Sequence, residues 1–169
     1  MHASDDATFR DLLSHDHQRL DAMLSSILEL AHLNVEPDLR LEWAAYEDAA
    51  RAHLDAEERF LLPGLTKHDL GCSMRIHADH QAIRSALSEI GVGLDLHIIR
   101  EEQMFALARM LRAHAKMEEG PLYDWADAAL PTSYVATMLA RLRRPRTPNE
   151  HAKVDALPAA LASARADAE

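Results

Sequence analysis

The chain has 169 residues, enough for one domain with a real core, and 48% hydrophobic against 27% charged residues is the balance of a globular protein. Twenty-eight acidic against 18 basic residues leave a formal charge of −10, which argues against gripping nucleic acid or an anionic membrane. A single cysteine, Cys72, excludes an internal disulfide framework and a thiolate metal cage.

No apolar run approaches the roughly 18 residues of a membrane span. The polar, acidic start MHASDDATFR does not read as a signal peptide, so a cytoplasmic location is expected. The chain is rich in Ala, Leu, Glu and Arg and poor in β-branched residues, and it reads as helices throughout. A first helix is expected from about Thr8 to Leu33, with Asp5, Asp6 and Asp11 at its positive end. A turn follows at Asn34–Pro37, then a second helix to Leu62, closed by Pro63-Gly64. The third runs from Gly71 to Ile90, with Gly91-Val92-Gly93 as the expected break. The fourth runs from Leu94 to Glu119 and stops at Gly120-Pro121. Shorter helices are expected over Leu122–Ala129 and Ser133–Arg144. The stretch from Pro145 onward reads as linker and tail. The expectation is thus an all-α, up-down-up-down four-helix bundle with short C-terminal helices, residues 1–144, and a tail over 145–169.

Helical spacing then sorts the side chains by face. Leu13, His17, Leu20, Leu24 and Ile27 share one stripe of the first helix; His15 falls on the outer side. The second helix presents Leu39, Trp43, Tyr46, Ala50, His53, Glu57 and Phe60. The third presents Ser73, Ile76, His80, Ile83, Leu87 and Ile90, and the fourth Met104, Leu107, Leu111, His114 and Glu118. Each long helix therefore turns one histidine inward, and two of them add a glutamate four residues later. A carboxylate on an apolar face is costly unless it is paired or binds metal. The histidines are 36, 27 and 34 residues apart, long, short and long, as a single layer nearer one end of an up-down bundle requires. Four imidazoles and two carboxylates exceed the needs of one ion. Two ions bridged by two carboxylates fit the count, and iron or manganese suits mixed nitrogen and oxygen donors better than zinc does.

The segments LLSHDHQRLDAML, HLDAEERFLLPGL, IHADHQAIRSAL and HAKMEEGPLYDWA resemble those of hemerythrin-like, or HHE cation-binding, domains. The resemblance covers roughly residues 8 to 130. It implies a four-helix bundle around a carboxylate-bridged, non-haem pair of iron ions, with manganese or zinc as substitutes. Matched residue by residue, it implies His17, His53, His80 and His114 as ligands and Glu57 and Glu118 as bridges. The sequence departs from oxygen-carrying hemerythrins at one position. Their fifth histidine, four residues before the third-helix ligand, is here Ile76; the neighbouring His77 lies on a polar line with Gln81, Arg84 and Ser88. Without it the implied division is His17 with His53 on one ion and His80 with His114 on the other. Both ions then keep places for an exogenous ligand, which speaks against simple reversible oxygen carriage. The resemblance implies a small diatomic or peroxide ligand, for sensing, storage or detoxification, or else turnover as a peroxidase, oxidase or NO-related enzyme. A metal-stabilised regulatory interaction module is a further alternative.

Other residues carry weaker expectations. Glu58 and Glu119 follow the bridging positions by one residue and are expected at the surface or just outside the site. Asp16 and Asp79 read as exposed acids, and Asp21 as a solvated residue or a partner of His17. Tyr46, seven residues before His53, reads as core, as does Cys72. The apolar side of the last helix, Val135, Met138, Leu139 and Leu142, followed by the basic run Arg141–Arg146, reads as a helix end and as a docking surface for a second copy or another protein.

Overall fold

The computed structural model describes residues 7–33, 36–98 and 100–143. These form seven helices: α1 (Phe9–His32), α2 (Glu36–Phe60), α3 (Leu62–His68), α4 (Leu70–Asp95), α5 (Glu101–Glu118), α6 (Pro121–Ala129) and α7 (Ser133–Leu142). There is no strand among the described residues. The four long helices close a ring in which α1 packs on α2 and α5, and α4 on the same two. Of the expected turn at Asn34–Pro37, Glu36 and Pro37 already belong to α2; Asn34 and Val35, the tail and the end of the basic run at Arg144–Arg146 lie outside the described residues.

Local chemistry explains the helix starts. Thr8 caps α1 in a capping box: its hydroxyl accepts from the Asp11 amide at 3.0 Å, and the Asp11 carboxylate accepts from the Thr8 amide at 3.2 Å. Asp69 caps α4 by accepting from the Cys72 amide at 2.9 Å.

Two boundaries differ from expectation, both at Pro or Gly. Pro63-Gly64 does not close a helix into a loop. Pro63 sits in the first turn of α3, where its missing N–H costs nothing, so the pair opens a new short helix one residue after α2 ends. Gly91 and Gly93 do not break α4, which continues to Asp95. They let neighbours come close. A Cβ on Gly91 would stand 3.3 Å from the Trp43 indole nitrogen and from Glu47, and one on Gly93 would stand 2.9 Å from the carbonyl of Ile98. Beyond the Leu96 cap the chain turns away at His97, the described non-glycine residue with positive φ, 58°. The Ile98 amide donates to Gly93 O at 2.7 Å and the His97 amide to Leu94 O at 3.1 Å, the paired bonds of a Schellman stop. Consequently α5 starts at Glu101 rather than at Leu94.

The core is in two parts. One cluster, including Leu24, Ile27, Leu39, Tyr46, Leu54, Leu87 and Leu107, fills the ring on the side of the α4–α5 connection. The other gathers Phe9, Leu13, Leu61, Ile76 and Cys72 with Tyr123 of α6 and Val135, Met138 and Leu142 of α7. The apolar side of α7, expected as a docking surface, is thus already covered by α1 and α2. Any partner of the C-terminal helices must use their outer faces. No helix among the described residues is long and apolar enough to cross a membrane.

The α4 stop makes a paired prediction. His97→Gly removes a side chain from the left-handed region and should raise stability by roughly 0.5–1 kcal/mol. Gly93→Ala pushes a methyl against a backbone oxygen and should lower it by roughly 1–3 kcal/mol, despite better helix propensity. Opposite shifts of the urea midpoint at unchanged slope check both.

Candidate metal centre

Between the two clusters the interior turns polar. His53, Glu57, His80, His114 and Glu118 are buried there, and Glu57, His80 and Glu118 are 0% exposed. His17 is partly buried at the same level. The position follows from the stripes: in each long helix the polar residue stands where the stripe passes from one apolar cluster to the other. Thus His17 lies between Leu13 and Leu20, and His80 between Ile76 and Ile83.

All six expected site residues meet in this layer, in two groups sharing both glutamates. One is His17, His53, Glu57 and Glu118, the other His80, His114, Glu57 and Glu118; within each, one donor atom per residue lies within 4.8 Å of the others. Glu57 turns Oε1 to His53 Nε2 and Oε2 to His80 Nε2, both at 3.3 Å. Glu118 turns Oε2 to His17 Nε2 at 3.6 Å and Oε1 to His114 Nε2 at 3.2 Å. Each carboxylate therefore offers one oxygen to each half.

All eight of these inward atoms, four Nε2 and four carboxylate oxygens, are buried without a hydrogen-bond partner. Buried polar groups in native proteins are nearly always satisfied. Eight convergent orphans in one layer could hold a cation, and imidazole plus carboxylate is the chemistry that suits a first-row divalent metal.

The outward Nδ1 atoms are held differently. His53 Nδ1–H donates to Asp16 Oδ2 at 2.8 Å, and His80 Nδ1–H donates to Glu58 Oε1 at 2.9 Å. His17 Nδ1 bonds to the Tyr123 hydroxyl at 3.1 Å, and His114 Nδ1 lies 3.7 Å from Asp79 Oδ2. Two arginines steady the acids from outside: Arg19 bonds to Asp16 at 2.8 Å, and Arg84 lies 3.2 Å from Glu58. Such bonds direct Nε2 inward and raise its basicity.

These placements settle several expectations. Asp16 is not an exposed acid; it is 5% exposed because it is the acceptor for His53. Asp79 remains about half exposed. Glu58 stands just outside the layer as the acceptor of His80. Glu119 is at the surface, and Asp21 pairs with Arg112 at 2.6 Å rather than with His17. Ile76 is wholly buried in the second core cluster, while His77 is about half exposed and bonds to Gln81, away from both groups. Tyr123 received no role in the sequence reading, since it follows a Gly-Pro stop on a separate short helix with no spacing to link it to His17.

Without metal, charge is shared unevenly. Burial pulls the His53 imidazole down, but Glu57 and Asp16 outweigh it and lift it to about 10. Burial likewise opposes charge on His80, and Glu118, Glu57 and Glu58 raise it to about 11. Burial, with His53 nearby, lowers His17 to about 3; burial also lowers His114, to about 4. Burial resists ionisation of Glu57, yet His53 and His80 hold it well below the usual carboxylate range. Glu118 is pushed up to about 8 by burial and by the neighbouring Glu57 charge.

The family model for the hemerythrin HHE cation-binding domain matches residues 8–131. The chain belongs to that family. Neither a curated protein nor a solved structure shows significant similarity to it. The match runs from the α1 cap through α6 and takes in both groups of residues that could hold a metal, which together point to cation binding.

Two predictions follow from the geometry. At pH 7 the metal-free layer holds protons on His53, His80 and Glu118, so loading metal should release about three protons per chain. Protons compete with metal, so affinity should rise with pH and fall steeply on acidification from pH 8 to 6. Calorimetric titrations with a divalent metal in buffers of different ionisation enthalpy count those protons. Separately, Asp16→Ala and Glu58→Ala should each weaken metal binding roughly 10–100-fold while allowing full loading at excess metal. Competition with a coloured chelator measures the loss.

Proposed function

We propose that the layer holds two iron ions, with His17 and His53 on one, His80 and His114 on the other, and Glu57 and Glu118 bridging both. The observation that carries this is the split of each carboxylate, one oxygen to each half. Manganese or zinc would occupy the same donors as substitutes. Each half supplies two nitrogens and two oxygens, which leaves a six-coordinate ion room for an exogenous ligand on either side. Bound there, the iron pair supplies binding and one-electron chemistry toward O2 or a related small oxidant, for sensing, storage or detoxification.

The residues' own work is positioning and insulation. Asp16 and Glu58 fix the His53 and His80 rings. The apolar clusters above and below keep bulk water from the layer. Tyr123 holds His17, the ligand nearest solvent, through a neutral hydroxyl rather than a carboxylate, so the proposed His53 and His80 ligands are the more electron-rich ones.

A second reading, an enzyme with peroxidase, oxidase or NO-related turnover, is favoured by Ile76. Ile76 is wholly buried and supplies no donor where a fifth histidine would saturate one ion, so both ions would have room for exogenous ligands, an arrangement better suited to turnover than to storage. Stopped-flow mixing of the reduced protein with O2, H2O2 and NO separates the readings: stable, reversible uptake supports binding, and repeated oxidation supports the enzyme.

Protein purified from iron-replete cells should carry about two irons per chain by elemental analysis. Glu57→Gln and Glu118→Gln keep size but remove the bridging charge, so each should lose at least one iron. Two tightly held irons in both variants would rule out the two-carboxylate bridge.

A further inference from the structure

The six residues of the layer are not equally sealed. His17 shows 12% of its side chain to solvent, whereas His53, His80, His114 and both glutamates show 3% or less. The exposure of His17 belongs to the gap between α1 and α5, which it lines together with the exposed Gln18, Lys116 and Glu119 and the half-buried Ala115. His53 and His114 line the same gap but are nearly closed off. The opening between α3 and α4 reaches Glu58 and none of the six.

The outer hold on His17 differs in kind as well. His53 and His80 each donate to a carboxylate that an arginine steadies, at 2.8 and 2.9 Å. Charge-assisted bonds of that kind are about twice as strong as neutral ones. His17 has only the Tyr123 hydroxyl, at 3.1 Å. Tyr123 is buried in the second core cluster, so this latch is firmly placed but weak. His114 is held more loosely still, 3.7 Å from Asp79, but no solvent stands beside it. An ion leaves a site when one ligand swings away and water takes its place. His17 is the ligand that combines a weak outer hold with adjoining solvent.

We infer that the two halves exchange metal at different rates: the ion of the His17–His53 half enters and leaves through the α1–α5 gap as His17 swings off its Tyr123 bond, while the ion of the His80–His114 half stays locked. Tyr123 is then a positioning residue, the latch that sets how long one ion of the two remains. The inference rests on the two-ion reading and goes beyond it, since the shared glutamates by themselves make the halves equivalent.

The test is stopped-flow release from the zinc-loaded chain, mixed with an excess of a coloured chelator that takes zinc. Two phases of one zinc each are expected, with rates about tenfold apart or more. Tyr123→Phe removes the hydroxyl alone and should speed the fast phase about 3–10-fold with the slow phase unchanged, whereas a general loosening of the fold would speed both. Glu58→Ala should do the reverse and speed only the slow phase. Ala115→Leu narrows the gap beside His17 and should slow the fast phase several-fold; Leu111→Phe, at another partly buried wall position, makes the same test if Ala115→Leu does not fold. Release of both zincs in a single phase, a Tyr123→Phe effect on both phases, or an unchanged fast phase in the narrowed variant overturns the inference. A chain that takes up a single zinc sinks the two-ion reading and this inference with it; two zincs that leave together sink this inference alone.

Discussion

Everything in this structure is arranged around eight polar atoms that face one another in the dry middle of a helical bundle. Desolvating a carboxylate without a partner costs several kcal/mol, more than most single contacts return. Two such carboxylates and four imidazoles are tolerated because they converge. That convergence demands one inward histidine per long helix, at one level, with Nε2 turned in. The apolar stripes, the two core clusters and the outer acids can each be understood as meeting that demand.

The outer acids follow a rotational rule. A residue next to an inward ligand points about 100° around the helix axis. In a ring of four helices that direction is toward the next helix. Asp16, beside His17 on α1, accordingly reaches His53 on α2, and Glu58, beside Glu57 on α2, reaches His80 on α4. Asp79, beside His80 on α4, faces His114 on α5 at a looser 3.7 Å. At the fourth step the pattern changes hands: Glu119 stays at the surface, and Tyr123 of α6 serves His17. Support thus weakens from carboxylate to hydroxyl around the ring.

Much of this was legible in the sequence because it is periodic. Inward histidines and glutamates fall on the same three- and four-residue steps as the leucines, so the helix class and the six clustered residues could be read without coordinates. What was misread depends on partners distant in sequence. Asp16 looks like any helix-surface acid until His53 is placed beside it. Gly91 and Gly93 look like breakers until Trp43 and the Ile98 carbonyl are seen to need their space. The stop falls on His97 rather than on a glycine, because the paired amide bonds to Gly93 and Leu94 compensate for its backbone. Tyr123 was invisible for the same reason.

The polar layer also divides the interior: hardly an apolar contact passes through it from the Leu24–Leu107 side to the Leu13–Val135 side. Hydrophobic burial alone would therefore make two small cores, each with its own tendency to open. Helix continuity joins them along the backbone, and the proposed metal, held by residues of all four long helices, would join them across it. The proposed metal centre would then be a rivet for folding cooperativity as well as a place for chemistry. Without an ion there, the two clusters would be coupled through the helix backbones alone, and α6 and α7 lie wholly in the second.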